Sequence, residues 1–185
     1  MNAVRRYICW WTVYFLGIYV HLFSKFSSLK ILKSEKIMLL KEDLRKIAQN
    51  RLKDSNILLQ NKRYSAAMYL AGYAIELMLK LKICGLLRFK RGFPENETEF
   101  NAYKATADGA SLLSTTITKL RQIKNHNLAD LLKYSGKEVA VLARCPGEWA
   151  GISGWGPDQR YSARIIRKAT AAEFIRNSKI IIENL

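Results

Sequence analysis

The stretch YLAGYAIELMLKLKIC, residues 69–84, places one carboxylate, Glu76, inside a run that is apolar on nearly every side when wound as a helix. An acid there has two readings. As structure, it is a buried or half-buried charge held by a cation, with Lys80 one turn later as the local partner and a basic residue on a neighbouring helix as the distant one. As function, it is a polar group in a cleft with Tyr73, positioning a ligand or tuning His126. Few other residues offer chemistry. Cys9, Cys84 and Cys145 form no CxxC pair and His21 and His126 are the only histidines, so no metal-ligand spacing exists and neither a metal nor a cofactor is expected. The cysteine usage fits a reducing, cytoplasmic compartment. The acids do not cluster as a two-metal site requires. No G-x-x-x-x-G-K loop and no G-x-G-x-x-G opening a helix is present, and nothing in the spacing points to a Ser-His-Asp assembly.

The 31 Lys and Arg against 15 Asp and Glu give a net charge of +16 over 185 residues. This balance favours polyanionic partners such as RNA or an acidic protein, or else marks a lysine-rich solvated surface. Arg160, Arg164 and Arg167 would form a basic stripe beside Tyr161 if QRYSARIIRK is helical, able to track an RNA backbone; the alternative is a solvated face. Trp149 and Trp155, lying between glycines, are expected to plug a loop onto the core in preference to stacking on bases.

These residues need elements to position them, and the chain reads as helical from Met38 onward. Residues 7–23, YICWWTVYFLGIYVHLF, are different: uncharged and aromatic-rich, they reach the lower limit for spanning a bilayer core, with Arg5 and Arg6 on one side and Lys25 and Lys30 on the other. Residues 1–37 are an extension upstream of a true start at Met38, a membrane anchor through 7–23, or a secretory signal without a clear processing site. Beyond them, Leu40, Leu44, Ile47, Ala48, Leu52, Ser55, Leu58 and Leu59 recur at steps of three and four, which predicts an amphipathic helix over about 39–60. QNKRY is too short for a crossover, so the next helix, about 65–87, runs back antiparallel and, being apolar almost all round, lies at the centre of a bundle. Gly72 within it suits a close approach by another helix. KRGFPENETEFN reads as a loop, ASLLSTTITKLRQIK as a helix, and NHNLADLLKYSG as a short helix with Asn125 or Asn127 as N-cap and Gly136 past its end. CPGEWAGISGWGPDQRY reads as a long loop, and the final helix opens at Thr170, with Glu173 completing a capping box. The spacing yields no strand and no repeat.

RLKDSNILLQNKRYSAAMYLAGYAIELMLKLKIC, followed by HNLADLL, a Trp-containing loop with WGPDQRY and a last helix, resembles the HEPN domain family, named for nucleotide binding in higher eukaryotes and prokaryotes. The resemblance runs from about Met38 to the C-terminus, and YLAGYAIELMLK is its most specific piece. It implies an all-α antiparallel bundle of about five helices, often dimeric. It also implies a nucleotide- or RNA-associated interaction module, working in a two-component, toxin-antitoxin arrangement with a separately encoded minimal nucleotidyltransferase. The alternative is a metal-independent toxin-type ribonuclease. Nuclease members carry an arginine, four to six residues and a histidine, and RQIKNH, Arg121 to His126, fits that pattern. In that role His126 exchanges a proton during attack of an RNA 2′-hydroxyl, and Arg121 offers a two-pronged donor to the developing charge. Lys119 and Lys124 add positive charge, and the following helix N-terminus favours phosphate. The other reading has His126 capping that helix and Arg121 on a solvated face.

Overall fold

A computed structural model of the chain describes residues 40–113 and 117–185. The readings of residues 1–37 as extension, anchor or signal lie outside the described residues. Among the described residues the chain is all-α, with eight α-helices and two 3-10 turns, and no helix is long and apolar enough to cross a membrane.

The first two helices set the architecture. α1 (Lys41–Gln60) turns Leu44, Ala48 and Ser55 into the core, half-buries Ile47, Leu52, Leu58 and Leu59 against it, and leaves Leu40, its N-cap, 44% exposed. The helix ends because Lys62 enters the left-handed region at φ +60°. The Lys62 N–H then donates to the Leu59 carbonyl at 3.1 Å and the Arg63 N–H to Leu58 at 2.8 Å, a Schellman closure at a position that usually favours glycine. The three-residue reversal returns the chain as α2 (Tyr64–Leu86), the 23-residue helix that carries Glu76. α2 packs against α1, the C-terminal helix, the short helix after His126 and the second 3-10 turn, which is why it is apolar on nearly every side. Ile75, Leu79 and Ile83 are fully buried, and each contributes on the order of 1.5–3 kcal/mol of hydrophobic stabilisation. α2 closes as α1 does: Arg88 takes φ +51° and the Phe89 N–H reaches the Cys84 carbonyl at 3.1 Å.

Shorter elements follow. α3 (Glu97–Lys104) and α4 (Ala107–Leu112) lead through Leu113 to a 3-10 turn at Leu120–Gln122. α5 (Leu128–Tyr134), α6 (Glu138–Arg144) and α7 (Pro146–Ile152) precede a second 3-10 turn at Pro157–Tyr161 and the long C-terminal α8 (Lys168–Asn184). α8 packs across α2 and α7, with Ala171, Phe174, Ile175 and Ile181 buried.

Several expectations need correction. Part of the predicted loop KRGFPENETEFN is the start of α3, because Asn96 caps it: its Oδ1 accepts the Glu99 N–H at 2.8 Å, while Glu99 accepts from the Asn96 amide at 2.8 Å and the Glu95 N–H at 2.7 Å. The single helix expected over ASLLSTTITKLRQIK does not form. α4 stops at Leu112, and the Thr118 and Lys119 N–H groups donate to the Gln122 side chain at 2.8 Å each, which replaces helical bonds. CPGEWAGISGWGPDQRY is not one loop, since Pro146 and Pro157 each sit in the first turn of a helical segment, where a missing N–H costs nothing. α8 begins at Lys168 with Arg167 as N-cap, so Thr170 lies inside the first turn and the expected capping box is absent.

Trp149 and Trp155 are buried, at 8% and 4% exposure. The Trp155 indole lies directly on Gly72, where a β-carbon would overlap three of its ring atoms, and stacks tilted on Tyr69 with centroids 5.9 Å apart. The close approach inferred at Gly72 is therefore made by an aromatic ring from the segment after α7, not by a helix backbone.

Candidate functional site

Glu76 is 1% exposed, and two cations or potential cations converge on it. Lys80, one turn along α2, places its Nζ 2.6 Å from Oε1. From the other side, His126 Nδ1 lies 3.0 Å from both carboxylate oxygens. The local partner read from the sequence is thus in place, but the distant one is a histidine from the loop before α5, not a basic residue on a helix. Lys80 is itself 12% exposed and sits 5.6 Å from the centroid of the buried Phe93 ring, so its charge is held by one carboxylate and one aromatic face.

The loop that delivers His126 is braced at both ends. Asn127 caps α5, its Oδ1 accepting the Ala129 and Asp130 N–H groups at 2.9 and 3.1 Å. Asn125 accepts the Asn127 N–H at 2.9 Å and donates to the Gln122 carbonyl at 2.8 Å. The cap is therefore Asn127, and His126 itself makes no capping bond. Its side chain is 59% exposed, with Nδ1 against Glu76. An ionised carboxylate can only accept, so Nδ1 carries a proton, and in the neutral ring the free lone pair is that of Nε2. No group among the described residues bonds Nε2.

Tyr73, one turn before Glu76 on α2, is half-buried. Burial, reinforced by the Glu76 charge and opposed by Arg51, pushes its phenol above the usual value. Arg121 is exposed within the 3-10 turn Leu120–Gln122 and makes no ion pair or hydrogen bond among the described residues. Lys119, beside it, is exposed and contributes its backbone N–H to the Gln122 side chain.

Other candidates are placed elsewhere or otherwise engaged. Lys124 pairs with the Glu95 carboxylate at 3.1 Å and donates to the Glu95 carbonyl, tying this loop to the entry of α3, so its charge is neutralised. Arg160 stacks on Tyr161 at 5.0 Å within the second 3-10 turn, while Arg164 lies in extended chain and Arg167 caps α8. The conditional stripe does not form, because the Ser162 hydroxyl accepts the Arg164 N–H at 3.2 Å and the backbone leaves helical geometry there. Among the described residues no group of His, Cys, Asp and Glu could hold a metal.

The comparisons fit this geometry in part. A family model for the HEPN domain matches residues 41–94, which takes in α1, α2 and the closing turn with Tyr73, Glu76 and Lys80, and stops before Arg121 and His126. No curated protein and no solved structure matches the chain. The likeness to HEPN domains is therefore one of the segment from Lys41 to Pro94.

Proposed function

We propose that the chain is an RNA-cleaving HEPN protein in which His126, oriented by Glu76, acts as a metal-independent general base. The observation that carries this reading is the 3.0 Å contact between a buried carboxylate and Nδ1 of a histidine whose side chain is 59% exposed. That arrangement favours the Nδ1–H tautomer and leaves Nε2 as the basic nitrogen of the neutral ring, as a base-orienting acid does in nucleophilic catalysis. Nε2 takes the proton of an RNA 2′-hydroxyl as that oxygen forms a bond to the adjacent phosphorus. The P–O5′ bond breaks, leaving a 2′,3′-cyclic phosphate, and the departing 5′-oxygen takes up a proton. Arg121, with its guanidinium free, offers paired donors to the phosphorane oxygens. Among the described residues each chain has one such imidazole, and a homodimer with two sites facing one strand would supply a protonated one to the leaving oxygen.

A second reading is a non-catalytic RNA- or nucleotide-associated module working with a separately encoded nucleotidyltransferase. It is favoured by Lys124, whose neutralisation by Glu95 leaves fewer free cations beside His126 than a phosphate clamp would use. The deciding experiment incubates the full chain with RNA in EDTA, comparing wild type with His126→Ala. Cleavage giving 2′,3′-cyclic phosphate ends, abolished in the variant, supports the ribonuclease. Intact RNA across several sequences with folded wild type supports the module.

A further inference from the structure

A broad cleft lies away from the Glu76–His126 pair, and its chemistry is simpler. It encloses about 750 Å³ between the first turns of α1, the C-terminal end of α2 and the residues just past α5. Lys41, Arg45 and Lys46 line it from α1, Lys82 from α2 and Lys137 from beyond α5, with Glu42 the single acid. None of the five cations makes an ion pair among the described residues. Lys80 and Lys124, by contrast, are matched by Glu76 and Glu95. Burial, with the neighbouring Lys137 and Arg45 charges, pushes the Lys82 ammonium below its usual value, which is the response of a cation crowded by others and lacking a counter-charge.

We infer that this cleft is a docking groove for a nucleic-acid backbone, five cations from three elements receiving successive phosphates. The apolar lining is limited to Leu81, Leu86 and Gly85, with no aromatic ring, so there is no platform on which a base of a mononucleotide could stack. An acidic protein partner would anchor on an aromatic ring or a broad apolar patch at the centre of its contact, and the one large exposed hydrophobic in this lining is Leu86, 51% exposed. A phosphodiester strand needs neither, because its affinity comes from cation contacts that release counterions. Ser135, Gly136 and Lys137 lie past the C-terminal end of α5, whereas His126 lies before its N-terminal end. The length of α5, about 10 Å at 1.5 Å per residue, separates the groove from the imidazole. The groove does not depend on His126 chemistry, although a strand held in it would be close to that residue.

The test titrates the full chain with labelled oligouridine RNA and with the corresponding DNA across about 50 to 200 mM salt. Wild type is compared with Arg45→Gln/Lys82→Gln/Lys137→Gln and with an equally neutralised control, Lys53→Gln/Arg176→Gln/Lys179→Gln, each checked for fold by circular dichroism. The groove variant is expected to lose about 2 from the slope of log affinity against log salt, three contacts at about 0.7 each for a single strand, on both polymers, while the control keeps the wild-type slope. The inference is overturned if the folded groove variant keeps the wild-type slope, if the control loses as much, if only one polymer binds, or if polyglutamate competes as well as RNA. A chain that binds through the groove without cutting leaves this inference standing while the ribonuclease reading falls. A chain that cuts, with a groove variant of unchanged slope, does the reverse.

Discussion

Replacing Glu76 by leucine should cost stability in an amount that depends on Lys80. Glu76 is 1% exposed and Lys80 12%, with 2.6 Å between Nζ and Oε1, so the substitution strands an ammonium in a mostly buried position. Breaking such a pair from one side costs about 3–5 kcal/mol. The leucine returns about 1.5–3 kcal/mol of apolar burial, and His126, 59% exposed, regains water easily. The net expectation is a loss of about 2 kcal/mol. Removing both charges in Glu76→Leu/Lys80→Met should bring stability back to within about 1 kcal/mol of wild type, because an apolar pair of similar volume often substitutes for a buried ion pair. Urea unfolding followed by far-UV circular dichroism gives both values, provided the slope with denaturant is unchanged. A single variant as stable as wild type, or a double variant no better than the single, would refute the view that Lys80 and Glu76 stabilise one another inside the bundle.

Gly72→Ala should destabilise by up to about 2 kcal/mol in thermal or urea unfolding, since overpacking against Trp155 costs about 1–3 kcal/mol against a gain of roughly 1 kcal/mol in helix propensity; in a Trp155→Ala background the sign should reverse. Cys84 is fully buried and its thiol is pushed up to about 12 by that burial, while Cys145, 2% exposed, is also raised by burial. In a Cys9→Ser chain, a thiol reagent at pH 8 should therefore label neither until denaturant is added. Tyr73 has a raised folded pKa, so its contribution to stability is fully present below the ordinary phenol value of 10.0 and is lost as pH rises through the folded value. Tyr73→Phe should make the alkaline fall of unfolding free energy shallower in pH-dependent urea titrations.

Much of this architecture was legible because it rests on local pattern. The steps of three and four through Leu44, Ala48 and Ser55 fixed the buried face of α1, and the apolar run around Glu76 announced a helix buried on all sides. The Asn127 cap and Gly136, at φ +69°, bounded α5. Elements whose signals are single residues were harder. The Asn96-x-x-Glu99 box is present in the sequence, but Gly92, Pro94 and the acids around it read as a loop, and Pro146 and Pro157 punctuate a stretch that reads as one loop although each occupies a first helical turn. α6, in KEVAVLAR, is too short for its periodicity to stand out. At the site, Glu76 and its Lys80 partner were readable from i to i+4 spacing. The Glu76 to His126 contact spans 50 positions, and only the fold determines which oxygen meets which nitrogen. The engagement of Lys124 by Glu95 was hidden for the same reason.

The most direct test of the account is the protonation pattern of the His126 ring, read by nitrogen-15 NMR of the full chain with His21 replaced, at a pH above the imidazole titration. A neutral ring protonated on Nδ1 and bare on Nε2 is the predicted result, with Glu76→Gln shifting the proton toward Nε2 because the amide can donate to Nδ1. A wild-type ring protonated on Nε2, or a pattern indifferent to the Gln substitution, would contradict the claim that Glu76 orients His126 as a base.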